Sequence, residues 1–207
     1  MNVKLALFLL ISAHIAGIVG IGLPVHPQFV LLTPFNLFLS LFIVLHFHEN
    51  RDRRFWIYAA IATAVGFLIE VVGINTGLIF GHYQYDVALG PKIWGTPPMI
   101  GINWLLTSYL CGIAVHYLAP QASWWVKALL GGAAMTAFDV LVEPVAMRYQ
   151  FWSWENDTVP LQNYAAWFVV GSLVQYAFFR LGVGQRNRMA LVLLACQLAF
   201  FIALNFW

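Results

Sequence analysis

Asp139 and Glu143 stand four residues apart near the end of a long apolar segment, and Pro144 follows at once. Four residues is about one helical turn, so the two carboxyls share a face. Gly132 and Thr136 lie on that face too, and Gly66, Glu70, Gly73 and Gly77 make a matching face in an earlier apolar segment. An ionised acid near the centre of a bilayer costs about 2.5–3.5 kcal/mol on insertion scales, so acids at such depth are shielded, paired or functional. Desolvation drives a buried carboxyl toward its neutral form, and carboxyls that crowd together share protons because they cannot all ionise. Such a group is a proton donor at neutral pH. Aromatic residues gather in the same stretches: Tyr83, Tyr85, Trp94, Trp104, Trp152, Trp154 and Trp167. Singly, each reads as part of the interfacial aromatic belt. As a group beside acids, their ring faces can stabilise a cation. A proton donor, an aromatic box and an apolar approach suit protonation of an alkene, with water or an internal double bond capturing the carbocation.

The elements that must position these groups are membrane helices. Of the 207 residues 62% are hydrophobic and 9% charged, with a mean hydropathy of +0.80. A soluble domain carries roughly 25% charged residues, so the chain is an integral membrane protein. The net charge of +2 comes from scattered basic residues, which is no nucleic-acid footprint. Cys111 and Cys196 fall inside apolar runs and read as small core residues.

A span needs about 20 mostly apolar residues. That rule gives about seven spans, at roughly 3–22, 29–48, 55–75, 98–118, 124–143, 163–181 and 188–205. The first has a weak cleavage pattern for a signal peptide and is expected to be a retained helix. Pro24 and Pro27 mark a short turn after it, and Pro144 is expected to kink or end the fifth helix. With no internal repeat, low-complexity tract or linker visible, residues 1–207 read as a single multi-span all-α membrane domain. Of the ten basic residues, Lys4, Arg51, Arg53, Arg54, Lys127, Arg180, Arg186 and Arg188 fall on one side, and only Lys92 and Arg148 on the other. The positive-inside rule then places the N-terminus inside.

This topology puts both aromatic loops, 76–97 and 144–162, on the outer side. Thr33 and Asn36, Glu70, Asn103 and Trp104, Asp139 and Glu143, and Asn163 and Trp167 all lie near outer helix ends. The inner halves look almost wholly apolar. The expectation is a pocket between helices near the outer surface, reachable from lipid. His46 and His48 do not share a helical face and read as polar end-residues of the second helix, whereas His82, in the first aromatic loop, is a candidate to join the site. The histidines do not form the boxes of a membrane di-iron oxygenase. Lys4, Lys92 and Lys127 leave no lysine in the last span for a rhodopsin Schiff base.

Two blocks of residues carry a resemblance. The first is Glu70-x-x-Gly73-x-x-x-Gly77-x-x-Phe80-Gly81-x-Tyr83-x-Tyr85, with Gly90-Pro91, Gly95-x-Pro97 and Trp104. The second is Asp139-x-x-x-Glu143-Pro144-x-Ala146, Trp152-x-Trp154 and Val159-Pro160-x-x-Asn163-x-x-x-Trp167. Together, over roughly 60–175, they resemble the carotenoid biosynthesis family of multi-span carotenoid hydratases, whose members include bisanhydrobacterioruberin hydratases and gamma-carotene 1'-hydratases. The resemblance implies addition of water across the terminal C1=C2 double bond of an acyclic (psi) carotenoid end group, giving a tertiary alcohol without a redox cofactor or metal. Protonating C2 places the cation at tertiary C1, which fits the residues. Asp139 is the favoured donor, with Glu143 and Glu70 tuning its protonation or orienting water. Asn103, Asn163 and Tyr83 are candidate positioners of water or substrate, and Tyr85, Trp104, Trp152, Trp154 and Trp167 complete the candidate substrate surface. Glu155 and Asp157 read as solvated.

The implied setting is the cell membrane, with a carotenoid drawn from the bilayer, water as co-substrate, other carotenoid-pathway enzymes as candidate partners, and no nucleic acid. Two readings from other classes remain. Intramembrane acids also serve as ion sites in small transporters, although no repeat and no inner polar path are visible. A non-catalytic carotenoid or lipid binder is the other. A cyclase that uses the same protonation and excludes water is a near neighbour of the first reading.

Overall fold

The computed structural model describes residues 1–23, 26 and 28–207. Pro24 and Pro27, expected to form a turn, lie outside the described residues. Among the described residues, seven long helices account for most of the chain: α1 (Val3–Gly22), α2 (Thr33–His46, entered through a 3₁₀ turn at Phe29–Leu32), α3 (Arg53–Thr76), α4 (Met99–Leu118), α5 (Trp124–Arg148), α6 (Leu161–Arg180) and α7 (Arg188–Phe206). Each start has a local cause. Asn2, Asp52 and Asn187 accept a backbone N–H with their side chains at the starts of α1, α3 and α7, as capping residues do. Pro34 sits in the first turn of α2, where its missing N–H costs nothing. α3 ends at Gly77, whose left-handed backbone (φ 67°) is cheap only for glycine.

Six of these helices are long and apolar enough to cross a membrane. The exception is α6, which has the length but carries Gln162, Asn163, Gln175 and Arg180. Asn163 and Gln175 are buried, so part of what lowers its hydropathy faces the bundle. Large apolar side chains such as Phe8, Phe35, Phe42 and Leu173 are exposed, the surface that a lipid solvent requires. α4 is the central helix and packs against α2, α3, α5, α6 and α7.

Three expectations change here. α5 does not stop at Pro144 but runs one further turn to Arg148. Pro144 is exposed; it removes the bond to the Val140 carbonyl and its ring crowds that carbonyl, and α5 continues past it. The two aromatic loops are not structureless: β1 (Tyr83–Tyr85) pairs antiparallel with β2 (Trp152–Trp154), with Tyr83 opposite Trp154 and Tyr85 opposite Trp152. The pairing holds both loops over one end of the bundle, as the expected topology requires. The opposite halves of the helices are not purely apolar either. His48 Nδ1 and Tyr109 Oη are 2.7 Å apart, Asn187 Nδ2 donates to Tyr109 Oη and to the Val44 carbonyl, and Gln175 Nε2 donates to the Ser108 carbonyl. His48, just past the end of α2, is thus a polar end-residue that is also a buried bridge between helices.

Candidate active site

The small sheet works as a roof because a strand alternates its side chains. Tyr83 and Tyr85 point one way from β1, and Trp152 and Trp154 point the same way from β2. All four reach down to the acids. Tyr83 and Tyr85 both donate their hydroxyls to Glu70 Oε2, the latter at 2.7 Å. Trp152 and Trp154 both donate their indole N–H to Glu143 Oε2, at 2.9 and 2.7 Å. Across the strands, Tyr83 lies over Trp154 with ring centroids 4.8 Å apart, and Tyr85 meets Trp152 edge-on at 5.9 Å. The Lys92 ammonium donates to the Tyr85 carbonyl and pins β1 from outside. Burial, with Glu70 beside them, holds the Tyr83 and Tyr85 phenols well above their ordinary range. Both therefore stay protonated donors at any pH the protein meets.

Under the roof, Glu70, Asp139 and Glu143 are 4%, 4% and 2% exposed. Gly66 lets α3 and α4 touch: a Cβ there would lie 2.3 Å from the Trp104 side chain. That approach brings the Trp104 indole N–H to Glu70 Oε1 at 3.0 Å. Trp104 in turn stacks on Trp167 of α6, centroids 4.1 Å apart and planes 9° from parallel. Asn163, at the start of α6, donates to Asp139 Oδ2 at 2.8 Å. Among the described residues, hydrogen bonds reach only one oxygen of Asp139 and one of Glu143, whereas both oxygens of Glu70 are engaged.

These groups line a chamber of about 40 Å³, room for a few water molecules. Its lining includes the three acids and every aromatic and amide residue expected of the substrate surface: Tyr83, Tyr85, Asn103, Trp104, Trp152, Trp154, Asn163 and Trp167. Sequence reasoning missed Phe80, Ile100, Thr107, Phe138 and Val142 in the lining. Thr107 had a signal, since it lies one turn along α4 from Asn103. Four expected neighbours stay away from the lining. His82 is exposed beside Gly77, and Trp94 is exposed at 69%. Thr33 and Asn36 begin α2, and the chamber is lined from α3, α4, α5, α6 and the roof. Glu155 and Asp157 are exposed, as expected.

Chemically, the chamber offers carboxyls with free oxygens, donors that orient them and a stacked pair of indoles. It suits proton transfer to an apolar substrate. Comparison with known proteins points the same way. No solved structure matches the chain. Over 195 residues it is 32% identical to a protein of Haloarcula japonica named "Bisanhydrobacterioruberin hydratase", covering 88% of this chain and 64% of that protein. The chain thus spans a little under two thirds of that relative's length. The family described as "Carotenoid biosynthesis protein" matches residues 28–207, which takes in the whole chamber and its roof. The chain is a membrane-spanning member of the carotenoid biosynthesis protein family.

Proposed function

We propose that the protein is a carotenoid hydratase of the cell membrane, adding water across the terminal C1=C2 double bond of an acyclic (psi) end group. The observation that carries this reading is the partnering of Asp139. Its carboxyl is buried and lines the chamber, with a single amide donor on one oxygen and no protein donor on the other. The relative's name supports the same chemistry.

In this reading Asp139 gives its proton to C2, and the positive charge falls on tertiary C1. The indole faces of Trp104 and Trp167 lie in the lining, where they stabilise a cation in a site of low dielectric. Water then forms the C1–O bond. Its surplus proton passes to Glu143, whose free oxygen shares the face of Asp139 one turn along α5. Transfer from Glu143 back to Asp139 restores the start, and water and alkene have become a tertiary alcohol with no net gain or loss of protons. Even the terminal five-carbon unit of the chain is larger than the chamber, so lining side chains must move to admit it. Asn103 and Val142, only half-buried between α4 and α5, mark the side on which they can.

The test is expression in a lycopene- or gamma-carotene-producing bacterium grown in water enriched in heavy oxygen. The expected product is a hydroxylated carotenoid that carries the heavy label and disappears with Asp139→Asn. An unlabelled hydroxyl overturns the mechanism in favour of dioxygen chemistry. A cyclised, unhydroxylated product moves the assignment to the cyclase. An unchanged pigment profile from well-expressed protein favours a transporter or pigment binder, or a partner role beside another enzyme of the pathway.

A further inference from the structure

The two arms of the site have the same construction. α3 ends in a buried glutamate, and its strand returns two alternating aromatic donors to that glutamate; α5 does the same. Each strand leads into a helix whose tryptophan, Trp104 or Trp167, joins the central stack. When Glu70 is set on Glu143, every buried position of α3 falls on a buried position of α5: Tyr58 on Gly131, Ala62 on Met135, Gly73 on Ala146. The strands pair antiparallel about Gln84 and Ser153, the arrangement that a two-fold axis through the roof produces. An axis along the membrane normal relates parallel repeats in some transport proteins. Here it was hidden in the sequence, because the two arms share residue roles rather than identities.

In that register one difference matters for chemistry. Gly66 falls on Asp139. Where the second arm has a carboxyl, the first has no side chain, and Trp104 fills the space and donates to Glu70. Glu70 then meets three donors, on both its oxygens, and a proton on Oε2 would compete with two phenols. Asp139 and Glu143 each keep an oxygen without a protein donor.

The geometry points to a duplicated unit with one reactive arm: Asp139 and Glu143 move the proton, while Glu70 is a positioning residue that holds Trp104 against Trp167 as the cation-facing wall. This deepens the hydratase reading and rests on it for the role of the wall. The duplication and the division of labour are properties of the protein itself.

The experiment compares Glu70→Gln, Trp104→Phe, Asp139→Asn and Glu143→Gln in the full chain reconstituted in lipid, with two readouts that need no turnover. Stacked indoles couple, so the exciton couplet of the Trp104–Trp167 pair in far-ultraviolet circular dichroism, read as a difference spectrum against Trp104→Phe, reports the wall. The infrared stretch of protonated carboxyl reports where the proton resides. Glu70→Gln should weaken the couplet at least twofold, as Trp104→Phe does, and leave the carboxyl band in place. Asp139→Asn should remove or shift the band and keep the couplet. A couplet unchanged in Glu70→Gln removes its positioning role. A band lost in Glu70→Gln but kept in Asp139→Asn makes the first arm the proton carrier. Should Glu70→Gln fail to fold, Tyr83→Phe with Tyr85→Phe frees Oε2 while sparing both indoles; the same band must then persist, and its loss overturns the proposal. If the wild type hydrates nothing, only the hydratase reading falls, since both spectra still decide between the arms.

Discussion

The bundle buries polar groups at two depths, and they are built differently. In the halves remote from the roof, His48, Tyr58, Ser108, Tyr109, Gln175 and Asn187 link helices to one another through hydroxyls, amides and an imidazole. None of these groups is a carboxyl. Each chiefly replaces water that the membrane withholds, and such interhelical bonds are worth about 0.6 kcal/mol on average. Under the roof lie three carboxyls, held by phenol, indole and amide donors. They are costly to bury, and two of them keep an oxygen turned away from any protein donor. Polar groups that close on each other are glue, whereas polar groups held open toward a cavity are equipment.

Substitutions should separate the two depths cleanly. Asp139→Asn should show the largest effect, a loss of hydration on the order of 10²–10⁴-fold, the usual weight of general acid catalysis, with an unfolding midpoint equal to wild type. Glu143→Gln should follow with a smaller loss in turnover, since water can still attack but lacks its acceptor; single-turnover rates in lipid vesicles check this. Trp154→Phe removes one donor from Glu143 and should cost about tenfold in rate, equivalent to about 1.5 kcal/mol for a hydrogen bond to a carboxyl. In the remote halves, Asn187→Ala should lower stability by about 1–2 kcal/mol, because the α7 cap and two interhelical bonds go together. Activity per folded molecule should not change. Tyr58→Phe, which loses only the contact with Ser108, should sit at the bottom of the scale, near 0.6 kcal/mol. A remote substitution that abolishes hydration in folded protein would erase the contrast.

The sequence carried the architecture because lipid leaves few choices: seven apolar stretches had to be helices, and their polar residues had to face inward. The residues of the chamber were legible for the same reason, since Asp139 and Glu143 one turn apart can only share a face. The roof was not legible. Three-residue strands such as Tyr83–Tyr85 and Trp152–Trp154 pair because the helices bring them together, and an alternation so short is also what an interfacial aromatic belt looks like. Pro144 misled as a stop because a proline removes one ladder bond and crowds one carbonyl, while the packing of α5 on α6 and α4 carries the helix past it. The duplication escaped because glycine in one arm and aspartate in the other look unrelated until Trp104 is seen filling the difference.

The roof is fastened at both ends, β1 to Glu70 and β2 to Glu143, and the strands are fastened to each other. Lifting it would break four side-chain bonds to carboxyls at once, each worth about 1.5–3 kcal/mol. The aqueous phase lies just above, yet that route is the expensive one. In the proposed hydratase, substrate and water would instead come sideways, where Asn103 and Val142 are half-buried between α4 and α5. Such a catalyst would work from a reservoir of a few molecules, refilled between turnovers by the water that the surrounding lipid carries. Its tempo would then follow the dampness of the bilayer rather than the strength of the acid.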